Sequence, residues 1–362
     1  MENKVYKNRQ KKLCSVLKEN NLEGIIIFGH ENIFYLTGFA GENGIYFQNK
    51  NRVCLFVSTL YINQAKSKPG PCETIEYKDP ESSLKDVLTT HANKAIGFDS
   101  EHTACRQIEK LKKKIKNLKI TLSPLAEELE FLRERKEERE LSLIKKAVEY
   151  AEKGFSKTIP LFVPGTREKD LSTEMEYQIK KSGADGLAFD IIIASGKRSA
   201  FPHAVASRKK IEHGDLVIID FGASYGGYNS DQSITITIGM PQKKQKEIYK
   251  IVRDAQSIAI ESVKPGIEIR KIDEAARGYL EKYGHGKYFC HSTGHGIGIN
   301  VHESPKIAKN QKGYIKEGMV ITIEPGVYVP GWGGIRIEDM FVARDNFCEI
   351  LTHIDKNSMV FN

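Results

Sequence analysis

Two aspartates on what reads as a single β-hairpin are the first residues whose type and spacing suggest chemistry. Within DLVIIDFGASYGGYNSDQSITIT (residues 215–237), a short apolar, β-branched run at 216–219 leads into Asp220. After Asp231, Ile234, Ile236 and Ile238 alternate with Ser233, Thr235 and Thr237, the period-two pattern of a strand. Between them, Ser224-Tyr225-Gly226-Gly227 supplies the positive φ that a hairpin turn needs. With Tyr225 and Gly226 at the turn centre, Asp220 pairs directly across from Asp231. Directly opposed side chains have Cβ atoms roughly 4.5–5.5 Å apart, and like charges there repel. Aspartate is also a poor strand residue, so such a pair calls for a cation between its members. Two edge aspartates facing solvent, or a register slipped at the glycines, would leave the same pattern.

Further candidates lie downstream. His295 sits in HSTGHGIGI between Gly294 and Gly296, where absent side chains let backbone approach a ligand closely. Glu324 closes the apolar run MVITIEPG, and Glu338 lies in IRIEDM, read as a strand following the glycine-rich turn PGWGG. His203 in FPHAV and His302 in VHE are lone histidines beside apolar residues. Singly, each has a structural explanation. Together, two Asp, two Glu and one His at strand ends and glycine turns suit a pair of divalent ions such as Mn²⁺ better than a thiolate-rich zinc site. Paired ions roughly 3.5–4 Å apart can share a hydroxide nucleophile and polarise a carbonyl.

These groups must be positioned by the surrounding elements. Residues 1–127 alternate strand-like stretches (near 23–29, 45–47, 53–58, 94–100 and 119–123) with helix-like ones (4–18, 60–66, 82–90 and 103–116), an α/β pattern. The stretch ENIFYLTGFAGE (31–42) reads as core and loop. Residues 125–150 are highly charged, with Glu–Lys and Glu–Arg pairs three and four apart, which predicts one long exposed helix. The domain boundary falls at its start, giving units 1–127 and 128–362. An internal repeat follows: PGTREKDLSTEMEYQIKKSGA from Pro164 resembles PGIEIRKIDEAARGYLEKYGH from Pro265, offset by 101 residues and each preceded by a helix (137–158 and 243–263). A duplicated helix–helix–strand unit predicts a pseudo-twofold domain with a cleft between its halves.

Composition bounds the alternatives. The 362 residues are 40% hydrophobic and 28% charged, as expected of a folded chain with a core. No apolar run approaches the roughly 20 residues of a membrane helix, and MENKVYKNRQKKL lacks the apolar core of a signal peptide. Six scattered cysteines without CxxC pairs fit a reducing cytoplasm. The net charge of +8 has lysine clusters at 112–116 and 243–246, but no aromatics interleave as stacking platforms; solvated helix faces explain them better than nucleic acid.

Asp220, Asp231, His295, Glu324 and Glu338, in this order and with FPHAV, DFGASYGGYNSD, GHGIGINVHE, IEPGVYVP and RIED around the site, resemble the M24 metallopeptidases with the pita-bread fold. The motifs match the prolidase and aminopeptidase P branch, and residues 1–127 resemble its creatinase-type N-terminal domain. The resemblance spans essentially the whole chain. It implies a fold of the α/β (α+β) class, a creatinase-like domain followed by a pseudo-twofold pita-bread catalytic domain. It further implies a cytoplasmic, homodimeric exopeptidase with two divalent ions, Mn²⁺ or else Co²⁺ or Zn²⁺. Its substrates would be di- or oligopeptides cleaved between the N-terminal residue and proline, with neither nucleic acid nor membrane as partner. By the same resemblance, Asp220 binds one ion, His295 and Glu324 the other, and Asp231 and Glu338 bridge them. Glu324 also moves the proton, His203 and His302 hold the scissile carbonyl and oxyanion, and His291 and Arg336 support the substrate side and the ligands. A methionine aminopeptidase-like hydrolase fits less well, given the extra N-terminal domain and FPHAV. A non-catalytic pita-bread binding protein, or a creatinase-like enzyme without metal, is disfavoured by five retained ligands.

Overall fold

A computed structural model describes residues 2–67 and 70–360. The chain divides into two compact units, Met1–Arg133 and Glu134–Asn362.

In the first unit, short β-branched runs build a six-stranded mixed sheet. Its strands are β1 Gly24–Ile27, β2 Ile45–Asn49, β3 Val53–Ser58, β4 Glu73–Tyr77, β5 Ala95–Asp99 and β6 Thr121–Leu125, ordered β4-β3-β2-β1-β5-β6. Every residue of the central GIII strand is buried, as a strand covered on both faces requires. The helices are α1 Glu2–Glu19, α2 His30–Thr37, α3 Ile62–Ser67, α4 Pro80–Leu88, α5 Cys105–Lys114 and α6 Glu127–Glu130. Leu84, Leu88 and Leu111 from α4 and α5 close one face over Ile26, Phe47 and Phe56. The 31–42 stretch supplies α2, with Ile33, Tyr35 and Leu36 buried, and ends at a left-handed Gly38.

The predicted single helix over 125–150 is broken: α6 stops at Glu130 and α7 (Glu138–Thr158) begins eight residues later. Of the charged residues between them, Arg133, Glu134 and Lys136 are buried. The Lys136 amide donates to Gly318 O at 2.7 Å, its Nζ lies 3.2 Å from Glu303 Oε2, and Arg135 bridges to Met319. Bonding to other segments of the second unit overrides the local i,i+4 pattern.

The repeat is visible in the second unit. In its first half come α7, α8 Glu168–Lys181, β7 Gly186–Leu187, β8 Ile192–Ser195, β9 Leu216–Phe221, β10 Ala223–Tyr225, β11 Tyr228–Asn229 and β12 Gln232–Thr237. The second half holds α9 Lys243–Ser262, α10 Ile269–Lys282, β13 Gly294–Gly296, β14 Glu303–Ile307, β15 Val320–Ile323, β16 Gly326–Val329, β17 Gly333–Arg336, β18 Asp339–Ala343 and β19 Cys348–Ile350. The helices α8 and α10 start 101 residues apart, each after a Pro-Gly turn whose glycine amide donates at 2.8 Å to a later strand-side carbonyl, Ile211 or Ile315. Sheet β12-β9-β8 packs on α7 and α8 through Phe155, Met175, Ile219 and Ile234, and sheet β14-β13-β15-β18-β19 on α9 and α10 through Ala259, Ile272, Ile321 and Phe341. The halves are stitched along β12: Glu338 N donates to Ser233 O at 3.0 Å, and Thr235 Oγ1 to Arg336 O at 2.8 Å.

Two sequence expectations need correction. The hairpin turn is centred on Gly226-Gly227, both at positive φ (58° and 80°), with Tyr225 opposite Tyr228. That register sets Asp220 opposite Ser233 and leaves Asp231 ahead of β12; a two-glycine type I′ turn matches strand twist better than a Tyr-Gly turn. Second, Glu338 is not inside a strand, since β17 ends at Arg336 and β18 begins at Asp339. The turn bearing Trp332 is firmly held despite its glycines. A four-rung β16–β17 ladder frames it, Gly334 N donates to Ser199 Oγ at 2.8 Å, and Lys244 Nζ lies 5.0 Å from the Trp332 ring centre. Among the described residues, no helix is long and apolar enough to cross a membrane.

Candidate metal centre

In each half of the second unit one carboxylate lies at the end of one strand and another just ahead of its antiparallel partner: Asp220 in β9 and Asp231 before β12, Glu324 after β15 and Glu338 before β18. Because the halves meet along β12, the four carboxylates converge. His295 enters from β13, seated between β14 and β15. A Cβ on Gly294 would lie 1.9 Å from Thr322 O and one on Gly296 2.2 Å from Ser304 O. Those glycines therefore serve close strand packing rather than approach to a ligand, as the sequence suggested.

Ligating atoms of Asp231, His295 and Glu338 all lie within 4.8 Å of one another. His295 Nδ1 is 3.0 Å from Gly296 O, which fixes that nitrogen as the donor and leaves the Nε2 lone pair free. Nε2 lies 3.6 Å from Asp231 Oδ2 and 3.8 Å from Glu324 Oε1. Asp220 Oδ2 accepts from Arg336 Nη2 at 2.6 Å, and Glu338 Oε2 accepts from Ser233 Oγ at 2.8 Å. Their second oxygens, Asp220 Oδ1 and Glu338 Oε1, are buried without a hydrogen-bond partner.

The electrostatics point the same way. Burial, and then the charges of Glu338, Asp220 and Glu324, hold the Asp231 carboxyl well above the ordinary range. Burial and Glu338 do the same to Glu324, while burial and Asp220 push Glu338 up to about 8. Arg336 opposes all three shifts without cancelling them. Burial lowers His295 to about 4, so its imidazole is neutral near pH 7. Four clustered carboxylates, two orphaned oxygens and a neutral imidazole fit a divalent-cation site, because a bound cation offsets the charge and occupies the unused lone pairs.

Around this cluster, Arg336 spreads its guanidinium to Ser233 Oγ (2.8 Å), Pro202 O (2.9 Å), Tyr328 OH (3.0 Å) and Asp220. Tyr328 OH in turn meets His291 Nε2 at 2.8 Å, while His291 Nδ1 meets Ser292 O at 2.8 Å. The ring therefore donates through Nδ1 and accepts from the tyrosine. Burial, with Arg336 next, lowers His291 to about 4. The His302 ring centre is 4.3 Å from that of His295, and its segment is held by Asn229 Nδ2 on Ile299 O at 2.7 Å. His203 is exposed on the segment Arg336 grips at Pro202; its charge adds to the downward shifts of His291 and His302. Tyr328 and Ser233 were missed from sequence. Only the placement of Tyr328 in IEPGVYVP pointed to it, and Ser233 looks like any outward strand residue.

The two-halved domain carries a buried carboxylate–histidine cluster that fits a divalent cation, and comparison with known families specifies its class. The model of metallopeptidase family M24 matches residues 142–345, and the creatinase/prolidase N-terminal domain matches residues 9–135. The chain belongs to family M24. It is 39% identical to the Xaa-Pro dipeptidase of Pyrococcus horikoshii over 97% of this chain and 99% of that one. Among solved structures, it superposes on the Xaa-Pro dipeptidase from Bacillus anthracis with a TM-score of 0.95 at 34% identity, covering 98% of this chain and 100% of that one. The X-Pro aminopeptidase from Thermotoga maritima gives 0.89 at 33% identity, over 97% and 99%.

Proposed function

We propose that this chain is a metal-dependent exopeptidase that hydrolyses the bond between an N-terminal residue and proline, in dipeptides or at the start of longer peptides. The observation that carries this reading is the convergence of Asp231, His295 and Glu338 within 4.8 Å, beside Asp220 and Glu324. The relatives named Xaa-Pro dipeptidase and X-Pro aminopeptidase support the substrate class. Asp220, Asp231, His295, Glu324 and Glu338 would hold two divalent ions, Mn²⁺ first and Co²⁺ or Zn²⁺ as alternatives. Such ions supply Lewis-acid polarisation of the scissile carbonyl.

The side chains do the rest. Glu324, whose carboxyl burial holds well above its usual range, takes a proton from the attacking water and returns it to the leaving proline nitrogen. His203 and His302 donate to the carbonyl oxygen as it gains charge. Arg336 keeps one Asp220 oxygen engaged and leaves the other without a partner, so that it could hold an ion. An X-Pro bond has no N–H, so a site that grips that hydrogen would reject it; recognition must fall on the carbonyl and the pyrrolidine ring.

Stripping metal with a chelator and reloading Mn²⁺, Co²⁺ or Zn²⁺, with Ala-Pro and a longer X-Pro peptide assayed in parallel, tests the reading. Loss and recovery of Ala-Pro cleavage is expected. Faster release of methionine from Met-Ala peptides than any X-Pro cleavage would contradict it.

A further inference from the structure

The segment from Ser195 to Ser207, which carries His203, is fastened at both ends to a single buried carboxylate. Glu168 is 0% exposed. Its Oε1 accepts from Ser195 N at 2.8 Å and Ser195 Oγ at 2.7 Å. Its Oε2 accepts from Arg198 Nε at 3.1 Å, Ser207 N at 3.0 Å and Ser207 Oγ at 2.6 Å. Arg198 continues the clasp, donating from Nη2 to Val205 O at 2.6 Å, two residues from His203. Although burial raises it, these donors from Ser207 and Ser195 win and hold the carboxyl below its ordinary range.

The internal repeat shows that the start of α8 does not itself need this side chain. Glu168 N donates to Lys209 O at 3.0 Å, and its counterpart Ile269 N donates to Gly313 O at 3.1 Å. The backbone latch is thus common to both halves, while the second half carries a buried isoleucine where the first has the carboxylate. That half holds its own histidine segment by another route: Arg277, paired with Asp273, donates to Phe289 O at 3.0 Å and His291 O at 2.9 Å.

We infer that Glu168 is a positioning residue for catalysis, setting where the His203 segment stands relative to Arg336 and the carboxylate cluster. The inference rests on the substrate-side role proposed for His203. Glutamine cannot replace it: both oxygens face donors, so an amide NH₂ would oppose either Ser195 N or Ser207 N and Arg198 Nε.

A double-mutant cycle tests the link. The kcat for Ala-Pro and the bound metal are measured for the Mn²⁺-loaded wild type, Glu168→Gln, His203→Ala and the double variant. Glu168→Gln should lower kcat by on the order of 10²-fold with wild-type metal content, since a misplacement near 1 Å costs that much. In the His203→Ala background, the same change should cost less than about twofold, because its route to the substrate is already gone. Equal losses in both backgrounds, or wild-type kcat in Glu168→Gln, would overturn the inference and leave the proposed function standing. Undiminished kcat in His203→Ala would overturn the role proposed for His203, and the inference with it, and leave X-Pro hydrolysis standing. Should Glu168→Gln not fold, Ser207→Ala enters the same cycle; it removes one donor, leaves the carboxylate paired by the others, and should show a smaller loss with the same dependence on His203.

Discussion

Arg336 joins Asp220 to the segment that carries His203: Nη2 donates to Asp220 Oδ2 at 2.6 Å while Nη1 donates to Pro202 O at 2.9 Å. One planar fork thus sets a carboxylate of the buried cluster and the loop carrying His203 in fixed relation. Lysine, with three donors on a single nitrogen, cannot reproduce the four contacts of this fork. Arg336→Lys should lower kcat by roughly 10–100-fold, the usual cost of losing a ligand's supporting partner. Steady-state kinetics beside metal analysis checks this, and wild-type kcat would show that the fork does not matter.

Asp231 lies 3.6 Å from His295 Nε2 and is pushed upward by the other carboxylates. If it is shared between two ions, Asp231→Asn should reduce metal content and turnover together. Full metal occupancy with normal turnover would remove it from the ligand set.

The metal-free protein should be less stable at pH 8.5 than at pH 5.5. Asp231, Glu324 and Glu338 have folded pKa values raised above the unfolded ones, Glu338 to about 8. The folded state therefore binds more protons, and the stability this brings is lost as pH rises from the unfolded carboxylate value of about 4.3 towards 8. Thermal melts after chelation check the sign, and Mn²⁺ should flatten the dependence. A metal-free protein that gains stability over this window would contradict the charge balance described.

Trp332 offers a negative control. Its turn is held by the β16–β17 ladder, Ser199 and Lys244, so its emission maximum should barely move on chelation. A large shift reversed by Mn²⁺ would mean that Glu324 and Glu338, rather than packing, set the turn.

The donor types were legible in the sequence because carboxylates and a histidine at strand ends are conspicuous against apolar runs. The α/β first unit and the repeat were legible from alternation and from the Pro-Gly turns. What escaped was decided by pairing between distant segments. Which glycine sits at the turn centre moves the partner of Asp220 from Asp231 to Ser233. Lys136 looks solvated in a charged run, yet it is buried against Glu303. Glu168, Tyr328 and Ser233 are ordinary residues locally, and only the fold gives them partners.

The most direct measurement compares hydrolysis of Ala-Pro with that of Ala-Ala by the Mn²⁺-loaded enzyme. Cleavage of Ala-Pro with little action on Ala-Ala is the expected result. Ala-Ala turned over as fast as Ala-Pro, or Ala-Pro left intact by fully metal-loaded protein, would contradict the assignment of this site to X-Pro bonds.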